Sequence, residues 1–264
     1  MTLQQAHDFV AESRRLDALI REAGPAALDR VTRFKGWSVE EIVRHLHVWN
    51  RGADLSITDE AALLDHVARA GPALMAGQTR TFERDVAPET GRALLDVWRD
   101  HFEDMLPRWE VLDPKRRVKW AGPDMSVRSS MTARQMETWS HGQAIYDALG
   151  AVRKDTDAIR NIAILGVNTF AWTFTVRGWP VPGQMPQVRL KAPSGVDWTF
   201  GEPGAGQVSG DATAFCQVVT QTRNVADTDI GMDGEVARTW MENAQCFAGP
   251  PHDPPAAGTR FREA

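Results

Sequence analysis

Cysteine is scarce in this chain, with only Cys216 and Cys246 among 264 residues. Two cysteines make no disulfide framework, and a reducing cytoplasm is the expected compartment. Neither has a nearby His or a Gly-rich turn, so each reads as a small buried hydrophobe rather than a nucleophile. No run of about 18 apolar residues occurs, so no membrane span is expected. The opening MTLQQAHDFVAESRR lacks the basic-then-apolar order of an export signal. Positive charge is not in excess either: 30 Lys and Arg against 35 Asp and Glu leave a net charge of −5. Phosphate binding wants a basic face, so nucleic acid is not the expected partner. There is no Gly-rich phosphate loop, no Ser/His/Asp order and no CxxC to point to those chemistries. Tyrosine occurs once, yet tryptophan occurs ten times, available for core packing or for lining a cleft.

The rest of the composition is that of a globular protein, 42% hydrophobic and 25% charged. The length suits one large domain or two small ones. Residues 3–23 carry an apolar stripe of Phe9, Val10, Leu16, Leu19 and Ile20 at helical spacing, ended by AGP. Ser38 with Glu41 three residues on is a capping box, so a second helix starts there. Residues 59–90 are ambiguous, with short helices expected. Leu94, Leu95, Trp98, Phe102 and Leu106 place a long helix over Gly91 to Trp109. The Pro/Gly-rich stretch DPKRRVKWAGPDMSVRSS reads as a loop. Thr132 then opens a helix to Leu149, stopped by Gly150. Four long helices in about 150 residues predict an antiparallel bundle with some long connections.

After that the pattern changes. One helix is expected over 156–176, followed by short β-like runs QVRLKA, VDWTF and GQVSG, then helical runs near 211–222 and 233–247. The predicted fold class is therefore α+β in two domains. A helical bundle spans 1–152, an α+β domain 153–249, and a loose Pro-rich tail 250–264.

The candidate site comes from helix registers. Ile42, His45, Leu46 and Trp49 share one face, while His47 lies about 200° from His45. On the fourth long helix Glu137, His141, Ala144, Ile145 and Ala148 form a similar stripe. An imidazole on one helix, and a carboxylate plus an imidazole on another, would thus face the bundle interior. Burying an unpaired carboxylate there costs several kcal/mol. A divalent metal held by two imidazoles and one carboxylate would compensate, leaving a fourth position open as catalytic sites do. The plainer alternative is a surface pair, with Arg134 meeting Glu137 one turn away and His45 a hydrogen-bonded core histidine.

Two segments bring a resemblance. GWSVEEIVRHLHVW resembles the segment of DinB-like metal-binding bundles in which the His of a His-Leu pair is the first ligand. The stretch ending MTARQMETWSHGQAIYDALG is similar to the segment of the mycothiol-dependent maleylpyruvate isomerase group whose Glu and His complete the metal site. By position the resemblance implies His45, Glu137 and His141 as metal ligands, with Arg134 matching the family's Arg before the Glu. Gln143 and Ala144 depart from the commoner residues of that group, and neither is a ligand. VSGDATAFCQVVTQTRN resembles part of a sterol-carrier-like α+β domain that many of these proteins carry. Its Arg223 matches an Arg that serves the isomerase's active site, although Thr222 stands where Gly is usual. A helix-end cation is the plainer role for Arg223.

The resemblance implies a divalent metal, with zinc first and iron, nickel or manganese as the alternatives such donors also accept. It also implies a low-molecular-weight thiol, presented as thiolate to a small electrophilic, conjugated substrate for isomerisation or S-transfer. Trp49, Arg134 and Trp139 are pocket candidates. An active cleft is expected between the two domains, with Arg223 and Trp139 near its rim. The alternatives are metal-activated water in a hydrolase or lyase, and a carrier for an apolar or acyl-CoA-like molecule. For the carrier, Phe170, Trp172, Phe174 and Trp179 would line the pocket.

Overall fold

The computed structural model describes residues 2–264. They form two compact units, one ending at Leu149 and the other beginning at Gly150; the sequence expectation for this boundary is near 152.

The first unit contains α1 (Gln4–Ala23), α2 (Val39–Thr58), α3 (Glu60–Met75), α4 (Thr79–Val86) and α5 (Gly91–Trp109), then β1 (Arg117–Val118), β2 (Met125–Ser126) and α6 (Val127–Ala148). Helices α1 and α2 each pack on α5 and α6, which makes a four-helix bundle. Its core is built from the predicted stripes: Phe9, Leu16 and Ile20 of α1, Ile42 and Leu46 of α2, Leu94, Trp98 and Phe102 of α5, and Ile145 of α6 are all buried. Each such side chain contributes about 1.5–3 kcal/mol of hydrophobic stabilisation. The capping box at the start of α2 is formed: Glu41 N–H donates to Ser38 Oγ at 3.1 Å, and Ser38 N–H to Glu41 Oε2 at 3.0 Å.

The ambiguous stretch 59–90 holds a 16-residue helix, α3, longer than expected, and the shorter α4. Both pack on α2. Helix α3 buries only Leu63, His66 and Ala70, a stripe too thin to declare itself in sequence. The expected loop after α5 contains an antiparallel pairing of β1 with β2. Helix α6 starts at Val127 rather than Thr132, because Ser126 caps it by accepting from Ser129 N–H at 3.1 Å.

The second unit contains α7 (Arg160–Asn168), α8 (Phe170–Thr175), β3 (Gln187–Lys191), β4 (Asp197–Phe200), β5 (Gln207–Asp211), α9 (Ala212–Val219), β6 (Gly231–Asp233) and α10 (Glu235–Asn243). The sheet order is β4-β3-β5-β6, parallel only between β3 and β5, and α9 packs against β3 and β5. The α+β class thus holds, with one short strand, β6, that the sequence pattern does not reveal.

The single helix expected over 156–176 is a 3-10 turn followed by α7 and α8, broken at Thr169. The Thr169 hydroxyl bonds back to the Leu165 carbonyl at 2.8 Å, a contact that competes with continuing the helix. Phe170 and Phe174 are core residues, with Phe170 edge-on to Trp240 at 5.1 Å. Trp179 is 42% exposed. Its ring lies 6.5 Å from that of Phe174, and Trp172 Nε1 donates to the Phe247 carbonyl at 3.1 Å. The tail is tied down rather than loose. His252 N–H donates to Gln245 Oε1 at 2.9 Å, Asn224 Nδ2 to Pro255 O at 2.8 Å, and Gly258 N–H to Asp227 Oδ1 at 2.9 Å. The buried amides of Gln221 and Gln245 need partners, and the tail backbone supplies them.

Candidate metal centre

His45 stands on α2, and Glu137 and His141 stand one turn apart on α6. Because α2 packs on α6, one donor atom from each residue lies within 4.8 Å of the other two. Glu137 Oε2 is 3.1 Å from His141 Nε2 and 3.6 Å from His45 Nε2. The two imidazole rings meet edge to face with centroids 4.7 Å apart.

A fourth residue, which no sequence signal announced, organises this group. Glu83 on α4 is only 1% exposed. Its Oε1 accepts from His45 Nδ1 at 2.6 Å and from Trp49 Nε1 at 2.9 Å. That contact holds the Nδ1 proton and turns His45 Nε2 toward Glu137 and His141, the arrangement by which a carboxylate orients a ligating histidine. Glu83 escapes a sequence reading because it sits on a separate short helix, 38 residues from His45, in no recognisable motif.

The electrostatics favour a positive charge at this point. Burial alone would lower the His45 pKa, but Glu83 and Glu137 outweigh it and push it up to about 9. Burial would raise Glu137, yet hydrogen bonds from His141 and His45 hold it well below the usual carboxylate range. Burial lowers His141. A proton on His45 thus lies between two carboxylates, where a cation is stabilised. Two imidazoles and a carboxylate, with one imidazole oriented by a second carboxylate, suit a divalent ion with an open coordination position. The residues present fit such a group.

Aromatic rings wall the centre. Phe34 is 4.8 Å from His141, and Trp37 is 5.4 Å from His45 and parallel to His141 at 6.4 Å. Trp49 lies 6.3 Å from His45, and Trp120 lies 6.0 Å from Trp49. Arg134 is buried with its guanidinium 5.1 Å over the Trp120 ring. This replaces the plainer expectation of a solvated Arg134–Glu137 pair.

Two other residues of the first unit stand elsewhere. Trp139 is fully buried in the bundle core, because two residues along a helix turn it about 200° from Glu137, so it is not at a rim. His47 is buried 5.6 Å from His101, outside the ligand cluster. Arg223 belongs to the second unit, just after α9; it is half-buried and its Nη1 donates to the Thr222 carbonyl at 2.9 Å.

With this geometry in place, comparisons with known proteins add a family pattern. The model for the mycothiol maleylpyruvate isomerase N-terminal domain matches residues 9–146. Two proteins described as uncharacterized, from two strains of Mycobacterium tuberculosis, are each 38% identical to this chain over 247 residues, 92% of this chain and 95% of theirs. Among solved structures, the mycothiol-dependent maleylpyruvate isomerase is similar with a TM-score of 0.51 at 17% identity, over 82% of this chain and 86% of that one. A histidine-to-alanine mutant of that isomerase is similar with a TM-score of 0.50 at 18% identity, over the same shares. At these identities the structural likeness speaks for the fold.

Proposed function

The chain belongs to the family of the mycothiol maleylpyruvate isomerase N-terminal domain, and from that membership we propose that it is a metal-dependent, thiol-using isomerase or S-transferase acting on a small conjugated electrophile. The observation that carries the reading is the His45, Glu137 and His141 cluster, with His45 oriented by Glu83. These three residues would hold a divalent ion, zinc first among those the donors accept. When bound, the ion would supply a Lewis acid beside which a low-molecular-weight thiol is held as thiolate near neutral pH.

The chain's own residues supply position and exclusion of water. Glu83 keeps the His45 proton on Nδ1, so that Nε2 is free to ligate. Phe34, Trp37, Trp49 and Trp120 surround the ligands with apolar surface, which strengthens every charge interaction inside. Arg223 is assigned to the reaction as a catalytic cation for an anionic substrate or intermediate, on the strength of the family resemblance.

The test is turnover by the metal-loaded full chain with maleylpyruvate and other conjugated electrophiles, with and without mycothiol and simpler thiols. Turnover that needs both metal and thiol is expected. Strong metal-dependent turnover indifferent to every thiol would end the thiol mechanism in favour of activated water or a polarised carbonyl. Tight binding of an apolar or acyl-CoA-like molecule without turnover would favour a carrier.

A further inference from the structure

Thiol chemistry at the metal centre leaves Arg134 without a task. The residue is 5% exposed, and its Nη1 is buried with no hydrogen-bond partner among the described residues. A buried guanidinium without an ion-pair partner is costly, and proteins rarely retain one that nothing compensates. Glu137, one turn further along α6, does not satisfy it. That carboxylate is engaged with His141 at 3.1 Å and faces His45 at 3.6 Å, and it acts on Arg134 through charge only among the described contacts.

The charge count at the centre sharpens the point. Among the described residues, Glu83 and Glu137 are the carboxylates in contact with the ligand histidines. A divalent ion between them would use both charges, and Arg134 would remain as a buried, unpaired cation. Its surroundings are flat aromatic rings. The guanidinium lies 5.1 Å over Trp120, Trp120 is 6.0 Å from Trp49, and Trp49 is 6.3 Å from His45. One continuous run of rings thus leads from the metal ligand to the arginine.

We propose that Arg134 is the anchor for a carboxylate of the small molecule that reacts at the metal centre, with the planar body of that molecule lying along Trp120 and Trp49. An arginine suits this role because its planar fork meets a carboxylate with two parallel N–H···O bonds, and because it stacks on an aromatic ring while doing so. The carboxylate end would fix which carbon of a conjugated acid faces the metal. Arg134 would therefore select acids over their esters and amides. The inference rests on the metal-centre reading of the site, and is independent of whether a thiol takes part.

The experiment measures binding rather than turnover. The metal-loaded full chain is titrated with maleate and with dimethyl maleate, followed by tryptophan fluorescence and calorimetry, in the wild type, R134K and R134Q. Wild type is expected to bind maleate and to bind the diester far more weakly. R134Q should weaken maleate about 10- to 100-fold, the loss expected for hydrogen bonds to a charged group, and leave the diester unchanged. Metal content and melting temperature are recorded for each variant. If R134Q melts early or loses metal, R134K carries the test. It keeps the charge and loses the fork, so it should weaken maleate by a smaller factor with the diester again unchanged. Equal maleate affinity in the wild type and in the variants would place the carboxylate on the metal and overturn the proposal. So would equal affinity of the wild type for acid and ester, or no maleate binding by the wild type at millimolar concentration. A chain that binds maleate through Arg134 but uses no thiol would keep this inference and end the thiol mechanism.

Discussion

His45 and His47 are two residues apart, and the helix turns them to different surroundings: one to Glu83 and Glu137, the other to His101. His45→Ala should therefore lose close to one metal per chain by elemental analysis, while His47→Ala keeps it. Loss through His47 instead would put the ligand register on the wrong face of α2. Glu83 acts through His45. Glu83→Gln is expected to weaken metal affinity about 10- to 100-fold in a competition titration with a chelator, the usual cost of losing a carboxylate behind a ligating histidine. Unchanged affinity would reduce Glu83 to a partner for Trp49. His47 also carries a pH prediction. Burial, with smaller contributions from His101, Arg51 and Arg44, lowers its pKa to about 3. The folded value lies below the unfolded one of about 6.5, so the neutral form favours folding. That contribution is present above about pH 6.5 and is lost as pH falls toward 3, with a slope of about 1.4 kcal/mol per pH unit. Urea unfolding of the metal-stripped protein should show a shallower acid loss for His47→Gln than for wild type. Parallel curves would mean that His47 is charged in the fold.

The elements differ in how plainly the sequence announces them. Helix α2 starts where Ser38 and Glu41 say it should, because a capping box is a local device within four residues. Helix α5 runs from Gly91 to Trp109 as its stripe predicts. The start of helix α6 is less plain in the sequence because most of its surface is buried, and a helix covered on several sides shows no clean polar face. Helices α7 and α9 show a dependence that no periodicity reveals. A Cβ added at Gly166 on α7 would stand 2.8 Å from Val219 Cγ2 and 3.1 Å from Phe215 Cε1 on α9. Gly166→Ala should destabilise the second unit by about 1–3 kcal/mol through overpacking, read as a lowered unfolding midpoint. A neutral or stabilising result would show that α7 and α9 can separate without penalty.

Over the whole molecule, the two units hold different parts of the proposed machinery. His45, Glu83, Glu137, His141 and Arg134 all precede Leu149, and Arg223 follows Gly150. Arg223→Ala should leave metal content unchanged and raise the apparent KM for an acidic substrate about tenfold, as loss of a charge-assisted hydrogen bond does. An unchanged KM and rate would make Arg223 structural. The amino-acid order by itself determined the two-part α+β plan, the four long helices, and the faces on which His45, Glu137 and His141 lie, because helical period and caps are set within a few residues of chain. It could not say that Glu83 would reach His45, that Arg134 would be buried over Trp120, or that the tail would be bonded down. Each of those depends on which faces of separate elements meet, and only packing decides that.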